Sequence, residues 1–289
     1  MYKEQKFVIN DIKSFELRDI FDCGQCFRWN EQDDGSYTGI IKNGVLNVKK
    51  EESNVIFSGL LNEDIEKVCN EYFDLNTDYE LIKEKLSTVD DNLKKSIEYG
   101  EGIRILNQDL WECIISFIIS ANNNIPRIKK IIDRISENYG EEIIWNDKKY
   151  YTFPTEKELS KASIEDLRKL GLGFRDKRVY TTTKMILNKE VDLDEIIKLD
   201  NSNEIREKLL SLDGVGEKVA DCIMLFSLKR FDVFPVDVWV RRVMNELYIK
   251  NENEEKVNKT EVRKIAEEKF GSLAGIAQQY LFYYRKNVS

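Results

Sequence analysis

Leu212-Asp213-Gly214-Val215-Gly216-Glu217-Lys218, followed nineteen positions after the lysine by Asp237 in Phe234-Pro235-Val236-Asp237, is the stretch that decides the reading of this chain. Upstream, Asn203 to Ser211 is amphipathic, with Ile205, Leu209 and Leu210 on one face. Downstream, Glu217 to Leu228 is periodic through Val219, Ile223, Phe226 and Leu228. Two short helices are therefore predicted around a Gly-Val-Gly turn. Glycine tolerates positive φ and lets a backbone approach a partner, so Gly214 and Gly216 around Val215 can aim successive N–H groups outward at the start of the second helix. Such a corner holds a phosphate without reading base sequence.

Lys218 falls in the first turn of that second helix, where the positive end of the macrodipole disfavours an ammonium. The expectation is an amine pushed from an ordinary pKa of about 10.4 toward its free, nucleophilic form. Asp237 follows Pro235 and precedes the apolar series Val238, Val240, Val243, Met244 and Leu247, so it is expected as an N-cap kept ionised by helix-start N–H groups. An amine and a fixed carboxylate suit attack on a sugar carbon that turns cationic as its base departs. Each feature alone has a plainer meaning, since Gly-x-Gly turns often only join helices and an aspartate before a helix is usually just a cap. The combination is far more specific.

Working outward, short alternating stretches dominate the first sixty residues: Cys26 to Trp29, Tyr37 to Ile41, Val45 to Val48 and Val55 to Phe57. Asp34-Gly35 and Asn43-Gly44 separate them as hairpin signals, which predicts an antiparallel sheet. From about Asp64 helical periodicity takes over. Thr155 with Glu158, and Ser163 before Leu167, read as helix starts, and Gly171 as a stop. Leu110 to Ile119 is apolar nearly all round and is expected as the central helix of the α domain. The fold class is α+β: residues 1–100 form a β-rich N-terminal domain with flanking helices, and residues 101–289 an α-helical domain containing the hairpin. Lys250 to Lys259 reads as a charged, asparagine-rich loop without chemistry.

The net charge of −8, from 45 basic and 53 acidic residues, counts against a polyanionic partner unless the basic groups cluster. Three clusters are present: Arg127, Lys129 and Lys130; Arg175, Lys177 and Arg178; Lys229, Arg230, Arg241 and Arg242. Any one of them is ordinarily a solvated face. The five cysteines are odd in number and scattered, which argues against a disulfide framework. Cys23-Gly24-Gln25-Cys26 is half a zinc motif, but there is no second pair and no histidine, so no metal is expected. No apolar run is long enough for a membrane span, and Met1 to Lys6 lacks a secretory hydrophobic region, so a cytoplasmic location is expected.

Several further segments carry a family likeness: Cys23-Gly24-Gln25-Cys26-Phe27-Arg28-Trp29, Ser116-Phe117-Ile118, Asn122 to Ile128, Leu170 to Arg175, Gly214 to Cys222, Pro235-Val236-Asp237-Val238, and Gly275-Ile276-Ala277-Gln278. In this order, across roughly residues 15–285, the chain resembles the helix-hairpin-helix base-excision glycosylases, and within them the 8-oxoguanine DNA glycosylases. The C-terminal four-cysteine spacing of the superfamily's iron–sulfur branch is missing.

The resemblance implies a DNA repair enzyme that excises 8-oxoguanine from duplex DNA and then nicks the strand through a Schiff base. Such an enzyme must extrude the base, fill the gap, hold the orphaned partner and inspect the flipped base. By resemblance, Lys218 and Asp237 are catalytic, and Gly214, Val215 and Gly216 contact DNA. Phe174 fills the gap, where the family usually has tyrosine. Asn122, Arg127 and Arg175 hold the orphaned cytosine. Gly24 offers its carbonyl to the N7 hydrogen that 8-oxoguanine has and guanine lacks, Gln278 reads the Watson–Crick edge, and Cys222 and Phe282 sandwich the base. Trp239 and Phe226 depart from the family, standing where histidine and often methionine occur. No cofactor is implied, although a structural monovalent cation at the hairpin is compatible with the motif. The implied partner is double-stranded DNA containing 8-oxoguanine, bound by a monomer that is nucleoid-associated if bacterial and without any membrane. Two other classes stay open at this stage: a glycosylase for alkylated or other oxidised purines, and a non-catalytic DNA-binding module.

Overall fold

The computed structural model describes residues 1–42, 44–253 and 256–288. Strands β1 (Lys3–Ile9), β2 (Trp29–Glu31), β3 (Tyr37–Ile41), β4 (Gly44–Glu51) and β5 (Asn54–Leu61) form one antiparallel sheet in the order β1-β5-β4-β3-β2, and α1 (Leu17–Phe21) packs against it. Helices α2 (Ile65–Tyr72), α3 (Tyr79–Ser87), α4 (Asp91–Tyr99), α5 (Leu110–Ser120) and α6 (Ile125–Tyr139) follow. After a hairpin of β6 (Glu142–Trp145) and β7 (Lys148–Tyr151) come α7 (Glu156–Leu159), α8 (Ile164–Lys169), α9 (Asp176–Leu187), α10 (Leu193–Lys198), α11 (Ser202–Leu210), α12 (Glu217–Ser227), α13 (Val238–Met244), α14 (Lys259–Phe270) and α15 (Ala274–Val288).

The sheet forms where side chains alternate: along β5, Val55, Phe57, Gly59 and Leu61 point inward and their neighbours do not. Its core is aromatic. Phe21 stacks on Trp29 at 4.3 Å and on Tyr37 at 4.8 Å, and Phe73 reaches Phe57 at 5.2 Å. The helical core is separate and centres on α5, whose apolar residues are buried on every side, as their continuous run predicts. Side chains of α3 and α4 belong to this second core, together with Cys23 and Phe27 from the segment before β2. Arg104 latches the two parts together. Its buried guanidinium donates to the carbonyls of Phe73 (3.1 Å), Asp74 (2.8 Å) and Thr77 (3.2 Å) and lies 4.3 Å from the Tyr79 ring.

The capping signals behave as read. Thr155 with Glu158 and Ser163 with Asp166 both close reciprocal capping boxes, and Gly171 ends α8 with φ +100°. Several expectations need correction. The sheet has a fifth strand, β1, and only Trp29 of the Cys26 to Trp29 stretch lies in a strand. Uninterrupted helix after Asp64 is broken by β6–β7, whose turn residues Asn146 and Asp147 take φ +49° and +60°, a hairpin signal present in the sequence. Leu210 is 39 % exposed instead of joining Ile205 and Leu209 in the core. Asn43, half of one hairpin signal, and residues 254 and 255 of the charged loop lie outside the described residues.

Candidate active site and DNA-facing surface

The Gly-Val-Gly turn joins α11 to α12, and its three residues have three different tasks. Gly214 adopts φ +85°, and a Cβ there would meet Arg178 carbons at 2.9 Å, so both conformation and space demand glycine. Val215 is buried and anchors the turn. Gly216 has φ −97° and caps α12 from extended backbone. Nothing approaches within 4 Å of its missing side chain, so its benefit is an open approach to the N–H groups that start α12. Thr182 of α9 ties the turn down by donating to the Asp213 carbonyl at 2.7 Å.

Lys218 leaves the first turn of α12 half-buried, its Nζ 5.4 Å from the centre of the Phe117 ring. Burial opposes its charge, but Cys222 and Asp237 draw it the other way, and the net effect raises the amine above its ordinary pKa. The expected free amine is thus overturned. The helix-start dipole is outweighed by anionic character placed directly beside the ammonium. Asp237 is the N-cap of α13, as predicted, accepting from the Val240 N–H at 2.8 Å. Its carboxylate is held by α13 while acting on an amine carried by α12. Among the described residues no direct ion pair joins the two. Cys222, four residues after Lys218, lies against the amine, and burial pushes its own thiol upward.

A second group of predicted residues meets across the sheet domain and α15. Gly24 takes φ +88°, and a Cβ built on it would lie 3.6 Å from Phe282. Space is therefore adequate and conformation is what requires glycine. Gln278, one turn before Phe282, is buried and accepts from Gln279 at 2.8 Å. The aromatic contact between Phe27 and Phe117 (5.5 Å) links the Gly24 segment to the floor beneath Lys218. Phe226 is buried and stacks on Phe117 at 5.5 Å, so that departure from the family sits in the floor, whereas Trp239, 52 % exposed beside Asp237, sits on the surface.

Phe174 is 58 % exposed, which excludes a core role; Arg175 and Arg178 flank its ring at 4.2 and 5.6 Å. Asn122 is exposed at φ +51°, and Arg127 is exposed with one guanidinium nitrogen on the Gly171 carbonyl. Arg175 differs from expectation. It is buried and holds the loop before α6 by donating to Ala121 (2.6 and 2.8 Å), Asn122 (2.7 Å) and Leu172 (3.3 Å) carbonyls. Burial, then the nearby Arg127 and Arg178 charges, lower its pKa, so the local potential is positive despite the acidic chain. Two basic clusters shrink on inspection: Lys129 donates to the Trp29 carbonyl at 2.6 Å, Lys229 pairs with buried Asp74 at 2.6 Å, and Arg230 is turned onto the Leu199 carbonyl. Cys23 and Cys26 are buried thiols, the first pushed up to about 12 by burial and the second raised well above its ordinary value.

Sequence reading missed the residues that hold these groups in place. Gln25 is fully buried and fully bonded: its amide nitrogen donates to the carbonyls of Ile20 and Arg104, both at 2.8 Å, and its oxygen accepts from Leu106 at 2.9 Å. It fixes the Gly24 backbone. Asp221, fully buried on α12, binds Arg206 of α11 at 2.8 Å and Arg263 of α14 at 2.9 Å, which locks the helix carrying Lys218. The only available hint was the lysine's own helix, since both arginines come from elsewhere in the chain. A cavity of about 590 Å³ lies behind this clamp between α11 and α14 and touches none of Lys218, Asp237, Gly24, Gln278 or Phe282.

Known proteins resemble this chain along nearly its whole length. A family model described as the 8-oxoguanine DNA glycosylase N-terminal domain matches residues 7–114, and one described as the HhH-GPD superfamily of base excision DNA repair proteins matches residues 115–270. An N-glycosylase/DNA lyase of Saccharomyces cerevisiae is 32 % identical over 97 % of this chain and 86 % of its own. A probable N-glycosylase/DNA lyase of Methanothermobacter thermautotrophicus is 33 % identical over 77 % of this chain and 74 % of its own. The Clostridium acetobutylicum 8-oxoguanine glycosylase/lyase, solved with double-stranded DNA bearing cytosine opposite 8-oxoG, superposes with a TM-score of 0.93 at 46 % identity, covering 100 % of this chain and 99 % of that one. The 3-methyladenine DNA glycosylase of Archaeoglobus fulgidus shares the fold, with a TM-score of 0.77 at 24 % identity. With both models matching consecutively and the relatives aligned nearly end to end, the chain belongs to the helix-hairpin-helix base excision DNA repair superfamily, in the 8-oxoguanine DNA glycosylase family.

Proposed function

We propose that this protein excises 8-oxoguanine from duplex DNA and cleaves the resulting abasic strand. The observation that carries this reading is the placement of the Asp237 carboxylate close enough to Lys218 to raise the amine's pKa, beside an open hairpin that presents helix-start N–H groups. The neutral form of Lys218 bonds through Nζ to C1′ as the glycosidic bond breaks and its electron pair leaves with the base, which takes up the proton shed by the new ammonium nitrogen, while Asp237 offsets positive charge on the sugar. The aminal opens to a Schiff base; loss of a C2′ proton then expels the 3′ phosphate. Borohydride reduces the Schiff base, so incubation with an 8-oxoguanine·cytosine duplex should leave a covalent protein–DNA complex. Release of alkylated purines but not 8-oxoguanine would favour the alkyl-base reading instead.

Gly24 is assigned to damage recognition through its carbonyl, aimed at the N7 hydrogen. For Gly24→Ala the added methyl meets only ordinary contact, so the effect arises from an L-residue held at φ +88°. We expect a stability loss of about 1 kcal/mol. Preference for 8-oxoguanine over guanine should fall about tenfold as the carbonyl turns, consistent with about 1–3 kcal/mol for an unpaired acceptor. Unchanged selectivity in competitive excision would remove Gly24 from this role.

Phe174 is assigned to the gap left by the extruded nucleotide, with Asn122 and Arg127 on the partner base and Arg175 shaping their loop. Because the ring is mostly exposed, Phe174→Ala should barely alter the melting temperature. Excision should nevertheless fall about tenfold or more, in line with about 1–3 kcal/mol for an aromatic–base stack. Equal excision by the variant would show that the ring is not a wedge. The protein is further proposed to act as a monomer, without a cofactor, in the compartment that holds DNA; among the described residues no helix is long and apolar enough to cross a membrane.

A further inference from the structure

Beside the Phe174 turn, α6 and the end of α8 enclose a groove of about 460 Å³ whose charged lining consists of Arg127, Lys130 and Arg134. No acidic side chain lines it. The i, i+3, i+7 spacing puts all three cations on one stripe of α6. The acidic residues of the same helix, Asp133 and Glu137, line a different cavity with Arg28 and Lys149. In a chain of net charge −8, three neighbouring cations without a carboxylate among them repel one another, and they are stabilised together only by an anion.

The groove is also braced. Arg127 donates to the Gly171 carbonyl and Arg134 to the Leu170 carbonyl, each at 3.3 Å, so each spends one of its five N–H donors on the turn that leads to Phe174. Asn124 caps the helix start by accepting from the Arg127 N–H at 3.0 Å. The cations are thereby fixed relative to the ring that enters the duplex.

We infer that this groove seats a backbone phosphate of the DNA strand that keeps the unpaired partner base, a second phosphate site separate from the Gly214–Gly216 hairpin. The assignment rests on DNA being the substrate. Its choice of strand follows from Asn122 and Arg127, proposed for the partner base, lying at the same end of α6.

The test is binding, which can be read whether or not 8-oxoguanine is excised. Lys130 and Arg134 are both exposed, so Lys130→Gln combined with Arg134→Gln should fold normally, verified by an unchanged melting temperature. Affinity for a duplex is measured from about 50 to 200 mM chloride, for wild type and double variant, with damaged and undamaged DNA. Each phosphate contact contributes about 0.9 to the slope of log affinity against log salt. The double variant should show a slope shallower by about that amount on both duplexes and bind about fivefold or more weakly. A single neutral methylphosphonate is then moved along the partner strand: one position should weaken wild type and leave the double variant unaffected. A wild-type slope in the double variant, or a methylphosphonate walk in which only the damaged strand responds, overturns the inference. So does inorganic phosphate bound by wild type and not by the double variant while both bind duplex equally at matched ionic strength, since that assigns the groove to a free anion. Failure to excise 8-oxoguanine with the slope change intact would sink the proposed reaction and leave the groove standing.

Discussion

Lys218→Gln should abolish the borohydride-trapped complex and lower excision by on the order of 10³-fold or more, the scale expected when a nucleophile is removed from a concerted site. Glutamine has comparable length and fills much of the same space over Phe117, so the melting temperature should hold. DNA affinity should also stay within a few fold, because the phosphate contacts proposed for the Gly216 backbone N–H groups and for the separate cations do not involve Lys218. The raised pKa of the lysine adds a test of sign. Below that pKa the neutral fraction of an amine grows tenfold per pH unit, so the trapping rate in the wild type should climb with pH across the neutral range. The Asp237 carboxylate helps raise the amine's pKa, so replacing it with a neutral residue should move the profile toward lower pH. A Lys218→Gln protein that excises at the wild-type rate and loses only strand cleavage would mean that water is the nucleophile and the site is monofunctional.

The second large effect separates two tasks of one carboxylate. Asp237 caps α13, a role in which asparagine is nearly as good, and its carboxylate also lies beside Lys218. Asp237→Asn should therefore keep the fold, with a melting temperature within a few degrees of wild type, while excision drops by about 10²-fold or more for want of negative charge beside the sugar. Asp237→Ala should show the same loss of rate plus about 1 kcal/mol of stability from the missing cap. If the asparagine variant excised normally and only the alanine variant were impaired, Asp237 would be a cap and nothing else.

Much of this molecule could be read from residue order because the deciding signals are local. The two helices flanking Gly214–Gly216, the cap at Asp237, the capping boxes at Thr155 and Ser163 and the continuous apolar run of α5 depend on neighbours within about four positions, which is the range over which backbone hydrogen bonds and side-chain periodicity act. Glycine at 214 was equally legible, since positive φ is a property of a single residue, whereas Gly24 was read for a close approach and the structure shows that its φ of +88° is what requires glycine. The strand β1 was not, because its partner β5 lies about fifty residues away and its polar, exposed sequence shows little alternation.

Sequence by itself determined that this chain folds as a sheet followed by helices, that a hairpin precedes a lysine, and that an aspartate starts a helix downstream; each is a short-range consequence of stereochemistry and hydrophobic period. Only the tertiary structure decided the ionisation of Lys218, because that depends on the charges brought to it by α13 and by the next turn of α12. Assembly in space also buried Arg175 as an internal fastening, tied Lys129 and Lys229 to the Trp29 carbonyl and Asp74, placed Gln25 and Asp221 behind the site, and left Arg127, Lys130 and Arg134 together in a groove free of acid. Electrostatic energy depends on through-space distance and burial, and neither is a function of separation along the chain.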